Sequence, residues 1–262
     1  MTFDFHVGTS PLLVSMPHVG IDLPGGIAER MTDQARLIAD TDWHIDRLYD
    51  FLDDLGASVL QARFSRYVVD LNRPPDDANL YPGINTTSLC PTDTFDGEPI
   101  YRAGQEPSAL EIAERVSAYW QPYHNQLEAA LSGIKAQHGY ALLWDAHSIR
   151  SEVPRLFDGR LPDLNLGTAN GNACPGKLAT RLEIIAKSAP GYISVLNGRF
   201  TGGYITRHYG APANDVIAAQ LELTQASYME ERHPFTFSDK KADKLRPVLR
   251  ELLDTFVGWT PG

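Results

Sequence analysis

The sequence has few cysteines, few basic residues and no long apolar run. Its two cysteines, Cys90 and Cys174, lie far apart and have no C-x-x-C spacing. This argues against a disulfide framework and against a structural zinc knot. No apolar run reaches the ~18 residues of a transmembrane helix. The first residues also lack the basic and apolar regions of a signal peptide. Together these absences predict a soluble, cytoplasmic protein.

Positive charge is scarce relative to negative charge. The chain has 23 Lys and Arg residues against 33 Asp and Glu residues, a formal net charge of -10. Because phosphate binding needs a basic face, we expect no nucleic-acid partner. A small anionic substrate stays compatible with this charge, since one buried arginine can hold a carboxylate. With 43% hydrophobic residues and no linker or repeat, we predict one domain over residues 1–262.

Common catalytic signatures are also missing. The sequence has no G-x-S-x-G elbow and no H-E-x-x-H pair, so serine esterase and zincin mechanisms lack support. The glycine pair Gly202–Gly203 is not a phosphate loop, because no G-K-[ST] ending follows it. Such a pair can instead let the backbone approach a ligand closely.

Apolar, β-branched runs alternate with helical patterns, which indicates an α/β fold. Strands are predicted at 12–16, 58–62, 67–71, 140–146, 163–166, 192–196 and 216–223. Helices are predicted at 33–55, 108–137 and 175–187. A C-terminal helix covers 245–257, with Pro247 in its first turn or at a kink. We expect the turn-rich stretch 72–107 to be an ordered active-site loop.

Two of the predicted strands lead into a histidine. Strand 12–16 is followed by Pro17 and His18, and strand 140–146 is followed directly by His147. In α/β sheets, ligands bind just beyond the carboxyl ends of the strands. Two histidines delivered by separate strand ends therefore predict a metal site, and a metal site suggests hydrolysis.

A catalytic zinc ion uses three protein ligands and leaves one position for water. The acidic stretch 40–46 is the richest source of a third ligand, and it lies in a predicted helix that packs over the sheet. We favour Asp42. The alternatives are His44, Asp40 and Asp46, with Asp22 as a weaker candidate.

Further charged residues are expected near the same edge of the sheet. Glu222, near the end of the last predicted strand, is costly to bury without a partner and is a natural general base for metal-bound water. Asp145 shares its side of the strand with His147, so we expect it to orient a ligand or an arginine rather than bind the metal. Arginines in nearby loops can hold carboxylates in a bidentate manner. These are Arg66, Arg73, Arg150, Arg155, Arg199 and Arg207.

Six segments of the chain together resemble the N-formylglutamate amidohydrolase family. They are MPHVG (16–20), DTDWH (40–44), SRYVVDLNRP (65–74), WDAHSIR (144–150), DLNLG (163–167) and the stretch from NGRF to Gly210 (197–210). Each segment is weak alone, but they follow one consistent order across most of the chain. The resemblance implies a zinc-dependent hydrolase with a three-layer α/β/α fold. Its sheet would be mixed and mostly parallel, like that of the zinc carboxypeptidases.

The resemblance also implies roles for individual residues. His18, Asp42 and His147 would bind Zn²⁺, and Glu222 would be the general base. The carboxypeptidases have their acidic ligand three residues after the first histidine, where this chain has Ile21. The implied substrate is N-formyl-L-glutamate, a dicarboxylate amide that is split into formate and glutamate in histidine degradation. We expect Arg150 to hold the oxyanion. The expected substrate-binding residues are Arg73 and Arg207, followed by Arg66, Arg199 and Asn72.

Three other functions are compatible with these residues. A metal amidohydrolase with the same site could act on another N-acyl amino acid or peptide. A thiol amidase could use Cys174 together with a histidine. The chain could also bind acidic amino acids without catalysis, although binding alone would not call for histidines at two strand ends.

Overall fold

A computed structural model describes residues 1–80, 83 and 85–261. Seven strands form one sheet. Their bounds are Phe3–His6 (β1), Leu12–Met16 (β2), Ser58–Ala62 (β3), Ala141–Ile149 (β4), Leu164–Gly167 (β5), Ser194–Leu196 (β6) and Val216–Thr224 (β7). The strand order is β1-β3-β2-β4-β7-β5-β6. Neighbours run parallel except at β1–β3 and β5–β7. The predicted α/β fold with a mixed, mostly parallel sheet is confirmed.

Helices pack on both faces of the sheet. Their bounds are Gly25–Ala28 (α1), Ile45–Leu48 (α2), Ala109–Arg115 (α3), Gln121–His138 (α4), Gly176–Ser188 (α5), Tyr204–Tyr209 (α6) and Asp239–Val257 (α7), and the π-helical turn Val116–Trp120 joins α3 to α4. Successive strand residues point to opposite faces. Trp144 accordingly lies in the core shared with α5 and α7, whereas Leu143 lies in the core under α4.

The predicted helix at 33–55 is wrong. Two 3₁₀ turns, Ala35–Leu37 and Asp53–Leu55, flank the short helix α2. Ile38 and His44 have left-handed backbone conformations, with φ angles of 44° and 62°, which interrupt a right-handed helix. This irregular path brings the Asp42 N–H to 3.0 Å from the His18 carbonyl. Tertiary contacts at the end of β2 therefore override the helical pattern.

The predicted strand at 67–71 is also wrong. The segment follows a turn, in which the Val68 N–H donates to the Ser65 carbonyl at 2.8 Å. Its apolar side chains enter two different cores: Tyr67 and Val68 pack in one, and Val69 and Leu71 in the other. The run is apolar because it is buried on two sides, and no strand is needed to explain it.

The other predicted elements are present, strands 12–16 and 58–62 with the predicted ends and the rest with shifted ends. Helix 108–137 corresponds to α3, the π-helical turn and α4, and the Ser108 hydroxyl caps its start by accepting the Glu111 N–H at 3.3 Å. Pro247 lies inside α7, which excludes the first turn and leaves the predicted kink as the other alternative. The described part of stretch 72–107 has isolated bridges but no helix or strand, as expected for a loop. No helix in the described ranges has the length and apolar character needed to cross a membrane.

Candidate metal centre and active site

Two histidines and an aspartate converge at the carboxyl edge of the sheet. Strand β2 runs parallel to β4, so His18 beyond β2 comes close to His147 in β4. Asp42 reaches them from the turn before α2, and one ligand atom from each residue lies within 4.8 Å of the other two. Asp42 Oδ2 is 3.1 Å from His147 Nδ1 and 3.7 Å from His18 Nδ1. Two ligands bound to a tetrahedral zinc ion at about 2.1 Å lie about 3.4 Å apart. The spacing therefore fits one divalent metal ion.

In each histidine, the imidazole nitrogen that faces away from Asp42 contacts a further carboxylate. His18 Nε2 lies 2.7 Å from Asp70 Oδ1, and His147 Nε2 lies 3.0 Å from Asp145 Oδ2. Metal-bound histidines usually donate their other N–H to such a group, which fixes the tautomer and the ring orientation. Asp42 Oδ1 is buried without a hydrogen-bond partner in the described ranges. This donor set fits a cation.

The buried carboxylates of the cluster strongly favour their charged forms. Burial opposes ionisation of Asp42, but hydrogen bonds with His147 and His18 outweigh it and hold the pKa of Asp42 well below its ordinary value. Burial also opposes ionisation of Asp70, yet the charges of His18 and Arg66 hold its pKa well below the ordinary range.

Glu222 lies directly opposite His147 in the parallel pair of β4 and β7. Its side chain is buried and lines the cavity above the cluster, and the Gln220 amide donates to Glu222 Oε2 at 3.2 Å. Burial raises the pKa of Glu222 to about 7, with His147 opposing the shift and Asp42 adding to it. A carboxyl group with a pKa near neutrality can both accept and return a proton.

The cavity is open to solvent, and its space measures about 650 Å³ when the solvent at its mouth is included. Three of the predicted arginines line it: Arg66, Arg73 and Arg199. The apolar part of the wall comes from side chains that include Phe95, Ile149, Leu156 and Phe200. Cationic groups set in an apolar wall suit a small anionic ligand.

Arg66 lies beside the metal cluster. Its Nη2 is 2.7 Å from Asp70 Oδ2, its Nη1 is 3.8 Å from Asp42 Oδ1, and its guanidinium stacks over the Phe95 ring at 4.9 Å. Both carboxylates hold Arg66 in its charged form, since their charges and the Asp70 hydrogen bond outweigh burial and raise its pKa further. A guanidinium fixed in this way can stabilise negative charge that develops at the cluster.

Arg73 and Arg199 contact the loop that covers the cavity. Arg73 Nη2 donates to Thr87 Oγ1 at 3.2 Å. Arg199 donates through Nη2 to the Asn85 carbonyl at 3.0 Å. Both guanidinium groups are thus held at the cavity wall.

The structure does not bring Arg150 and Arg207 to the cavity wall. Arg150 Nη2 lies 2.9 Å from Asp96 Oδ1 and 3.9 Å from Asp40 Oδ1. Arg207 donates through Nε to the Gly202 carbonyl at 2.7 Å. Neither residue belongs to the described wall of the cavity, so the oxyanion and carboxylate roles predicted for them gain no support here.

The other candidates for the third metal ligand lie outside the His/Asp/His cluster. Asp40 is buried, but its Oδ2 accepts the Tyr67 hydroxyl at 2.6 Å and the Phe95 N–H at 2.7 Å. His44 Nε2 lies 2.7 Å from the Phe235 carbonyl. Asp46 and Asp22 are exposed. Of these candidates, the structure places Asp42 in the cluster.

Cys174 lies in the core with α5 and not in the described cavity wall. Burial raises the pKa of its thiol to about 12. A cysteine nucleophile needs a thiolate, which such an environment disfavours. The geometry therefore argues against the thiol amidase.

Asp145 orients His147, and the Asn72 amide in turn donates to Asp145. The Asn72 amide nitrogen lies 3.2 Å from Asp145 Oδ2 and 2.9 Å from His147 Nε2. The Asn72 side-chain oxygen accepts the Ile205 N–H at 2.8 Å, which sets the direction of the amide. A Cβ at position 203 would lie 2.3 Å from this amide, so Gly203 makes room for Asn72, and it also lines the cavity.

Sequence analysis missed Asp70 and Gln220 as site residues. Asp70 is the acidic residue of an otherwise apolar run and lies three positions before Arg73, which was the available signal. Gln220 lies two residues before Glu222 and therefore on the same side of β7. Its amide oxygen accepts the Gly203 N–H at 2.7 Å, so its nitrogen is turned towards Glu222.

A mixed α/β sheet that carries a His/Asp/His cluster beside a buried glutamate is typical of hydrolases that use one divalent metal ion. The family model described as N-formylglutamate amidohydrolase matches residues 10–229. The chain belongs to the N-formylglutamate amidohydrolase family.

Known relatives cover nearly the whole chain. It is 54% identical over 255 residues to N-formylglutamate deformylase of Pseudomonas aeruginosa, covering 97% of this chain and 96% of that protein. The N-formylglutamate deformylase of Pseudomonas putida is 52% identical, with coverage of 97% and 95%. The crystal structure of N-formylglutamate amidohydrolase from Ralstonia eutropha has a TM-score of 0.81 at 24% identity, over 98% of this chain and 99% of that one. At that identity the superposition shows a shared fold.

Proposed function

We propose that the chain hydrolyses the formyl amide of N-formyl-L-glutamate and releases formate and L-glutamate. The observation that carries this proposal is the position of Glu222 beside the His18, Asp42 and His147 cluster, under a cavity lined by arginines. The names of the two Pseudomonas relatives support the substrate. We place the reaction in histidine degradation, as the family resemblance implies.

His18 Nδ1, Asp42 Oδ2 and His147 Nδ1 are the atoms that would hold the metal. Imidazole and carboxylate ligands suit several divalent ions, and Zn²⁺ is the ion we propose. Such an ion, when bound, lowers the pKa of water and polarises a carbonyl oxygen.

Glu222 is the proposed general base and acid. Its carboxylate accepts a proton from the attacking water, whose oxygen forms a bond to the formyl carbon. The C–N bond then breaks, and Glu222 returns the proton to the departing amine nitrogen. Because its pKa is about 7, the group can act in both directions near neutral pH.

Arginines at the cavity wall are proposed to bind the oxyanion and the two carboxylates of the substrate. We assign the oxyanion to Arg66 instead of Arg150, because Arg66 lines the cavity beside Asp42 and Asp70. We assign the two substrate carboxylates to Arg73 and Arg199. A buried carboxylate left without such a partner costs several kcal/mol, on the order of the penalty for an unpaired charged group.

Formate release from N-formyl-L-glutamate tests the proposal, together with metal content before and after chelation. We expect activity that depends on bound metal and prefers the formyl over the acetyl substrate. Full activity in metal-free protein would contradict the metal centre. Faster turnover of N-acetylglutamate would reassign the site to another N-acyl amino acid. Ligand binding without turnover in metal-loaded protein would indicate a binding protein.

A further inference from the structure

Residues 68–73 form a buried segment of irregular backbone that carries three side chains of the site. Asp70 holds His18, Asn72 lies beside His147, and Arg73 lines the cavity. An irregular segment has no helix or sheet partner for its carbonyl groups. Because a buried carbonyl without a donor costs free energy, other groups must supply donors.

One continuous helical stretch, 109–138, supplies these donors as side chains. Arg115 Nη1 donates to the Val68 carbonyl at 3.0 Å, Trp120 Nε1 to the Arg73 carbonyl at 2.9 Å, and His124 Nε2 lies 2.8 Å from the Leu71 carbonyl. All three side chains are buried. The helix therefore follows the segment and holds it at three points.

The π-helical turn Val116–Trp120 accounts for the alignment of these donors. Trp120 and His124 are four residues apart and share one face of a regular helix. Arg115 and Trp120 are five apart, and a regular α-helix with about 100° per residue would point them about 140° away from each other. In a π-helix, the i→i+5 bonding pattern widens the turn. Residues five apart can then face the same segment, as Arg115 and Trp120 do.

Aromatic contacts make this set of donors rigid. The rings of Trp120 and His124 stack with centroids 3.7 Å apart, and the Tyr209 hydroxyl lies 2.9 Å from His124 Nδ1. Because the Leu71 carbonyl can only accept, Nε2 carries the proton in the neutral ring and Nδ1 accepts the Tyr209 hydroxyl.

We propose that the π-helical turn is a positioning device for the substrate-binding segment 68–73. Trp120 is the positioning residue for Arg73, and His124 is the positioning residue for the part that carries Asp70 and Asn72. The substrate-binding role of Arg73 rests on the proposed function, whereas the effect of Trp120 on the segment does not.

Trp120→Phe tests the proposal because it removes the indole donor and keeps an aromatic ring. The matched control is Trp144→Phe. Trp144 is also buried and also donates one indole hydrogen bond, to the Tyr49 hydroxyl at 3.3 Å, but its ring packs in the core with α5 and α7. We expect faster amide hydrogen exchange in peptides that cover 68–73 for Trp120→Phe and not for Trp144→Phe.

The kinetic readout separates positioning from general destabilisation. For Trp120→Phe, a displaced Arg73 should raise KM for N-formyl-L-glutamate by roughly tenfold to a hundredfold, the size of effect seen when a group shifts by about 1 Å. In the Arg73→Ala background the same substitution should change KM by less than about twofold, because coupled sites are not additive. Deletion of the exposed Ser117, which removes the extra residue of the π turn, should produce the same exchange pattern.

The outcomes distinguish the positioning device from the proposed deformylase function. Unchanged exchange over 68–73 in Trp120→Phe would overturn the positioning device, whatever the deletion variant does. Fully additive effects of Trp120→Phe and Arg73→Ala on KM would also overturn the positioning device. If the wild type releases no formate but Trp120→Phe still loosens 68–73, the proposed function fails and the positioning device stands.

Discussion

Lowering the pH from 8 to 5 is expected to destabilise the fold through His124. Its Nε2 donates to the Leu71 carbonyl and its Nδ1 accepts the Tyr209 hydroxyl, so both nitrogens are satisfied in the neutral form. Burial lowers the pKa of His124 to about 3; the Leu71 hydrogen bond opposes this shift and His208 adds to it. In the unfolded chain, the pKa of a histidine is about 6.5.

The sign and size of the effect follow from linkage. Between pH 6.5 and pH 3, the unfolded chain binds a proton at His124 that the folded chain excludes. The free energy of unfolding therefore falls as the pH falls through this window. The loss from this one group is about 0.8 kcal/mol at pH 6 and about 2 kcal/mol at pH 5. A folded-state pKa of 4 instead of 3 would give nearly the same loss at pH 5.

Urea unfolding at pH 8, 6 and 5 measures this loss, with His124→Gln as the control variant. Glutamine keeps an amide donor for the Leu71 carbonyl but does not titrate. All other groups, Glu222 and His147 included, contribute equally to both proteins, so the difference in pH dependence isolates His124. We expect the wild type to lose about 2 kcal/mol more than the variant between pH 8 and pH 5. Parallel stability curves for the two proteins would refute the reasoning.

Three further predictions concern the site. Asp70→Asn should weaken metal affinity about 10- to 100-fold, because His18 loses the carboxylate that orients it; chelator competition measures this, and an unchanged affinity would disprove the role. Glu222→Gln should keep the metal but lower kcat by about 10²- to 10⁴-fold, and a loss of less than tenfold in formate release would exclude Glu222 as the base. Arg73→Ala and Arg199→Ala should each raise KM by about tenfold or more. Arg207→Ala is their control, with an expected change below about threefold, and the reverse pattern would contradict the assignment of the cavity wall.

Six of the seven strands that the structure describes and the two histidines could be predicted from the sequence, whereas β1 was missed. The runs at 12–16 and 216–223 are mostly apolar, with Ser15, Gln220 and Glu222 as their polar members, because strands at the centre of the sheet are buried on both faces. His18 and His147 follow or complete such runs, and the carboxyl ends of parallel strands meet at one edge. Local pattern was therefore sufficient to bring two of the three proposed metal ligands together.

The local sequence pattern led to wrong secondary-structure predictions where tertiary contacts determine the backbone conformation. Residues 33–55 have helical spacing, but the left-handed His44 and the contact of Asp42 with the end of β2 break the helix. Residues 67–71 look like a strand because they are apolar, yet they divide between two cores. In both segments, burial against distant residues outweighs local propensity.

The sequence by itself determined which chemical groups are available and which strands carry them. The ranking of the arginines made from the sequence had no local basis, because Arg66, Arg73 and Arg199 have the same chemistry as Arg150 and Arg207. Only the tertiary structure separated those that line the cavity from those that do not. The role of Asp70 was likewise decided by its contact with His18, 52 positions away in the chain. Hydrogen bonds act over about 3 Å, and distances this short between remote residues are set by packing rather than by local sequence.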